Sequence, residues 1–105
     1  MDVFDLKNMA VYPFQERDRN VLFRSEDFTA RIIPLPARGA VPPCEMASSV
    51  IFTVVSGKMT VVVNGGESAL EEGWCRISGP ATLSMHTVEG ARVLGIQVPR
   101  GGIHE

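Results

Sequence analysis

The chain has 105 residues, 45% of them hydrophobic and 21% charged, with a formal net charge of -2 at pH 7. That length predicts one domain with a single hydrophobic core, burying roughly two-thirds of the surface the unfolded chain would expose. Basic residues are scattered and outnumbered by acids, 10 against 12, so a nucleic-acid surface has no electrostatic support. No apolar run approaches the ~20 residues of a membrane span. The first residues, with Asp2 and Asp5, lack the form of a secretory or basic transit segment. Cys44 and Cys75 are too few and too far apart for a disulfide framework or a Cys-x-x-Cys zinc site. A soluble cytoplasmic protein with reduced thiols is expected, without membrane or nucleic-acid partners.

Residues 1–20 are expected to form an N-terminal arm or edge strand. Within them 9–14 reads as a short strand or extended arm, which Pro13 confines to a sheet edge. Residues 21–24 predict a strand and Ser25-Glu26-Asp27 a turn. In the next strand, 28–35, Phe28, Ala30 and Ile32 alternate with Thr29, Arg31 and Ile33, the period of a half-buried strand. Pro34, Pro36, Gly39, Pro42 and Pro43 then predict an irregular loop.

The stretch 50–64 is almost continuously β-branched, aromatic or apolar apart from Ser56-Gly57, and reads as a hairpin with its turn there. Asn64-Gly65-Gly66 is a second turn requiring positive φ. Further strands are expected over 67–70, 74–78, 81–87 and 91–98, separated by Glu71-Glu72-Gly73, Gly79-Pro80 and Glu89-Gly90. Short strands punctuated by turns at this spacing, without a helical period, predict an antiparallel sandwich or barrel over 21–100. Gly101-Gly102 predicts a flexible tail over 101–105.

From Gly39 to Val98 the chain resembles the cupin superfamily. Val54-Val55-Ser56-Gly57-Lys58-Met59-Thr60-Val61 is similar to the strand-turn-strand that closes that family's first motif. Glu72-Gly73-Trp74 resembles the opening of its second motif, with Trp74 in place of the usual Asp, and Gly79-Pro80-Ala81 stands near its Pro-x-Gly. The resemblance implies an all-β fold, an antiparallel double-stranded β-helix or jelly-roll barrel. It also implies a metal held by two histidines, a glutamate and a third histidine. Counting back from Gly57 sets Cys44 and Met46 at the first two histidine positions and Val50 at the glutamate. The third histidine falls on Ser84, or on Met85 if the alignment slides by one. Val50 offers no lone pair and Ser84 is a poor ligand, so the family's metal chemistry is not carried over.

The candidate ligand pocket is therefore Cys44, Met46, Val50, Met59, Ser84 and His86. Alternation turns Cys44 and Met46 inward and sets Ser84 and His86 on one face. The leading expectation is a cupin-like barrel without the usual metal, holding a small organic ligand and using no cofactor. The alternative is an enzyme. It would be a soft-metal oxidoreductase with Cu(I) at Cys44, Met46 and His86, or a metal-independent isomerase with His86 as general base. Trp74 reads first as core or interface packing, and His104 as a solvated tail residue. Exposed β-edges and the arm predict a homodimer in which 4–14 exchanges between protomers.

Overall fold

The computed structural model describes residues 2–99, so the expected tail over 101–105 and its His104 lie outside the described residues. A 3-10 helix, Phe14–Asn20, precedes eight strands: β1 Val21–Arg24, β2 Thr29–Leu35, β3 Ala40–Met46, β4 Ser49–Val63, β5 Gly66–Glu71, β6 Cys75–Ser78, β7 Ala81–His86 and β8 Ala91–Val98. Every pairing is antiparallel. One sheet has the order β1-β2-β8-β4-β6 and the other β3-β7-β4-β5. The two pack face to face as a jelly-roll barrel, the all-β architecture expected from the sequence.

β4 belongs to both sheets. Its first half pairs with β6 and β8, and its second half with β5 and β7. The hairpin expected at Ser56-Gly57 is thus one strand of 15 residues, bent where it changes sheets. The register along β8 slips between Val54 and Ser56, and Gly57 takes φ +80. A glycine with positive φ serves a bulge as well as a turn. Here the chain continues instead of reversing because β8 stays paired through Ser56↔Arg92 and Gly57↔Ala91.

Two further expectations are corrected. The proline-rich stretch is not a loop throughout, since Pro34 lies in β2 and Pro42-Pro43 in β3. β3 ends its sheet, and its register along β7 slips between Val41 and Cys44. An edge strand with a bulge accommodates two residues that lack an amide proton. Residues 9–13 are not a strand. Arg92 on β8 holds this arm to its own barrel, donating from Nη1 to the carbonyls of Leu6 (2.8 Å) and Met9 (2.9 Å). Asn20, 4% exposed, clamps it further on: its amide donates to the Tyr12 carbonyl and its Oδ1 accepts from the Tyr12 amide, both at 2.8 Å.

Strand alternation delivers the core. Val50, Phe52, Val54 and Val93 from the first sheet meet Met59, Val61, Leu70, Leu83 and Met85 from the second, with Leu35 at one end. Their register partners agree, Val54 with Val93 and Val61 with Met85. The outer face of the first sheet is also apolar. Register aligns Ile77, Ile51, Ile96, Ala30 and Phe23 in one row across five strands, and its two ends, Ile77 and Phe23, are exposed.

Candidate functional site

A cavity of about 440 Å3 opens between the two sheets. Arg31 and Ile33 of β2, Phe52 of β4, and Gly95 and Gln97 of β8 form one wall. Val41, Cys44 and Met46 of β3, with Leu83 and Met85 of β7, form the other. The period of two explains both: Phe52↔Gly95 and Arg31↔Gly95 share one rung, as do Cys44↔Leu83 on the opposite sheet. Phe52, Leu83 and Met85 are buried core residues that double as its floor. Arg17 from the 3-10 helix and Pro42-Pro43 from the bulge border it.

The lining is mainly apolar, and two of its polar groups are in contact. Arg31 donates from Nη2 to Gln97 Oε1 at 3.4 Å, and Gln97 Nε2 lies 4.0 Å from Met46 Sδ, spanning the two sheets. Both are at the long end of hydrogen bonding. Arg31 Nε is buried and has no hydrogen-bond partner among the described residues. No ion pair joins Arg31 to a carboxylate among the described residues, and the pairs Lys7–Glu72 and Arg19–Glu16, each 3.1 Å, lie on the surface.

The structure brings some of the sequence candidates together and separates others. Cys44 and Met46 line the cavity. Ser84 borders it between Leu83 and Met85, but alternation puts its side chain on the face opposite theirs. Val50 and Met59 belong to the solid core, 0% and 3% exposed, and reach no cavity surface. His86 shares Ser84's outward face and is exposed, with Ala40 and Thr60 as its ladder neighbours. The expectation of an inward histidine is therefore corrected: Leu83 and Met85 are the inward residues of β7, and His86 falls on the other parity.

Sequence reasoning missed Arg31, Gln97, Phe52, Leu83 and Gly95. Gln97 carried a usable signal, as the one amide in the apolar run Val93-Leu94-Gly95-Ile96-Gln97-Val98 and in step with Val93. Arg31 was harder to find because Phe28, Ala30 and Ile32 make the opposite face of β2 the more apolar one.

Comparison with solved structures is consistent across proteins of different origin. TT1209 from Thermus thermophilus superposes with a TM-score of 0.77 at 20% identity, over 94% of this chain and 98% of that one. The Cnp3 cupin domain from Schizosaccharomyces pombe gives 0.71 at 22% identity, over 81% and 70%. An RmlC-like cupin from Shewanella frigidimarina gives 0.71 at 18%, over 78% and 75%. The chain has the cupin fold. No protein-family model matches the sequence, and no curated protein matches it.

The cupin fold implies a metal, and the side chains here do not fit one. At the positions the resemblance assigns to imidazoles and a carboxylate, this chain has an exposed thiol at Cys44, the thioether of Met46, the hydrocarbon of Val50, and Ser84 or Met85 on β7. Among the described residues no three of His, Cys, Asp or Glu stand close enough to hold an ion. The Cu(I) set also fails. Met46 is level with Ala81 and Cys44 with Leu83, whereas His86 lies further along β7 on the other face. At ~3.3 Å per residue the Met46-to-His86 offset is roughly 16 Å, against metal–ligand bonds of about 2 Å. The isomerase alternative meets the same obstacle, because His86 does not reach the cavity.

Proposed function

We propose that this chain is a metal-free cupin barrel that binds a small organic molecule in the cavity between its sheets. The observation that carries the reading is the cavity itself: about 440 Å3, walled by Ile33, Phe52, Leu83 and Met85, with Arg31 and Gln97 at its polar end. Small-molecule sites combine hydrophobic walls with a few convergent polar groups and run from roughly 300 to 1,000 Å3. The replacement of ligand-type side chains by Met46, Val50 and Met85 supports the metal-free part. Exposed free thiols at Cys44 and Cys75 suit a reducing compartment such as the cytoplasm.

We further infer a homodimer. The arm is tied to its own barrel through Arg92, so the surface offered to a second copy is the apolar row from Ile77 to Phe23. An antiparallel sheet facing water usually alternates to polar side chains on that face, and a row this long is the kind that a two-fold partner covers.

Native mass spectrometry of the purified protein, with elemental analysis after loading with first-row metals, tests the main reading. The expected result is a co-purifying or titratable small molecule and no stoichiometric metal. Cys44→Trp, which fills the cavity from an exposed wall, should abolish ligand-induced thermal stabilisation. Retention of one metal per chain, or undiminished stabilisation in Cys44→Trp, overturns the proposal. For the dimer, sedimentation should give twice the chain mass and Ile77→Lys should halve it; a wild-type mass of one chain refutes it.

A further inference from the structure

We propose that the cavity selects a carboxylate, held on the Arg31 guanidinium, with the apolar remainder of the ligand against Phe52, Leu83 and Met85. The inference rests on the small-molecule reading above and adds the ligand's chemical class. Arg31 points inward from β2, level with Gly95, where Ile33 and the Phe52 ring fill the place a side chain would take. Gln97 takes Nη2 at 3.4 Å, while Nε is buried and unpartnered.

A buried donor on a cation is costly to leave without an acceptor. Nothing among the described residues supplies one, and a ligand carboxylate in the cavity is an acceptor of the right charge and shape. Nη2 carries two hydrogens, so with one directed at Gln97 the other and the Nε hydrogen can still form a planar pair of donors matched to the two oxygens of a carboxylate, which accepts at both and donates at neither. A phosphate is the competing anion, since Arg17 also borders the cavity, but the mainly apolar walls favour an anion that carries a hydrocarbon remainder. Gln97 has a positioning role: held between Arg31 and Met46, it limits the directions in which the guanidinium can turn.

The test is an NMR titration of the 15N-labelled chain with hexanoate and benzoate, their neutral amides hexanamide and benzamide, and inorganic phosphate. The acids are expected to bind at least about tenfold more tightly than their amides, with shifts at the Arg31 Nε–H and the Gly95 and Gln97 amides. Arg31→Met keeps the stem and removes the fork, and should bring the acid-to-amide affinity ratio close to one. Equal affinity of acid and amide, or tighter binding of phosphate, overturns the carboxylate assignment and leaves the cavity reading intact. So does an unchanged ratio in Arg31→Met. Binding by none of the organic probes counts against the cavity reading itself. If Arg31→Met does not fold, the wild-type acid-to-amide ratio and the Arg31 Nε–H shift decide the question alone.

Discussion

The bend in β4 makes a quantitative prediction, because the same substitution is available at sites that differ only in crowding. A Cβ built on Gly57 (φ +80) would collide with the Gly90 carbonyl oxygen and lie 2.9 Å from Ala91 Cα. Gly73 has nearly the same backbone, φ +88, with nothing within 4 Å of its Cβ position. Gly73→Ala should therefore cost only the left-handed conformation, about 1–2 kcal/mol. Gly57→Ala carries that cost and must also part β4 from β8 at the Gly57↔Ala91 rung. Strain and a weakened ladder bond add roughly 2–4 kcal/mol, so the total is about 3–6 kcal/mol. A domain of this size has on the order of 5–15 kcal/mol in hand. The two variants should thus melt apart by on the order of 10–20 °C. Urea unfolding followed by far-UV circular dichroism measures both on one scale, with similar slopes expected. Equal losses within about 1 kcal/mol would refute the claim that the change of sheet depends on backbone contact at Gly57.

Other predictions follow from single side chains. Thr87, 5% exposed, donates from its hydroxyl to the Lys58 carbonyl at 2.6 Å and accepts from the Gly90 amide at 3.0 Å; Thr87→Val leaves both unmet and should cost about 1–3 kcal/mol in urea unfolding. Val50→Glu puts a carboxyl where exposure is 0%, so the folded-state pKa should rise above the unfolded one. The defect, about 3 kcal/mol or more near neutrality, should shrink as pH falls toward the carboxyl range, read as a smaller gap from wild type in melting temperature at pH 4.5 than at pH 7. Arg92→Met removes both bonds that hold the arm. It should speed amide exchange and proteolysis over residues 4–12, while the barrel's unfolding midpoint moves by no more than about 1 kcal/mol.

What was legible in the sequence was the format of the fold: strands of alternating parity punctuated by glycine, proline and asparagine turns, with the second motif's turn in place at Gly73. What stayed hidden has two physical sources. A positive-φ glycine between apolar runs has the same local chemistry whether the chain reverses or bends, and Ser56-Gly57 is a bend only because β8 runs past it. The two prolines of β3 posed a related problem, since they exclude a central strand but not an edge strand with a bulge.

The second source is that alternation yields period without sign. On β2 the apolar set Phe28, Ala30 and Ile32 lies opposite the parity that lines the cavity, and the outer face of that sheet is itself apolar through Ile51, Ile77 and Ile96. With hydrophobic residues on both faces, composition cannot say which parity is interior, and Arg31 was passed over. On β7 the same ambiguity put His86 inside.

In this barrel the residues that tie the sheets together are separate from most of those that line the hollow. The core that ties the sheets together, Val54 and Val93 with Met59, Val61 and Leu70, lies away from the cavity wall formed by Cys44, Met46 and Gln97. Val50 extends that core by a fully buried side chain, which stabilises the barrel by about 1.5–3 kcal/mol relative to leaving it exposed. An ionisable group there would need a partner to offset its desolvation. Among the described residues, the unpaired Nε of Arg31 is the feature of the hollow that apolar packing alone does not satisfy.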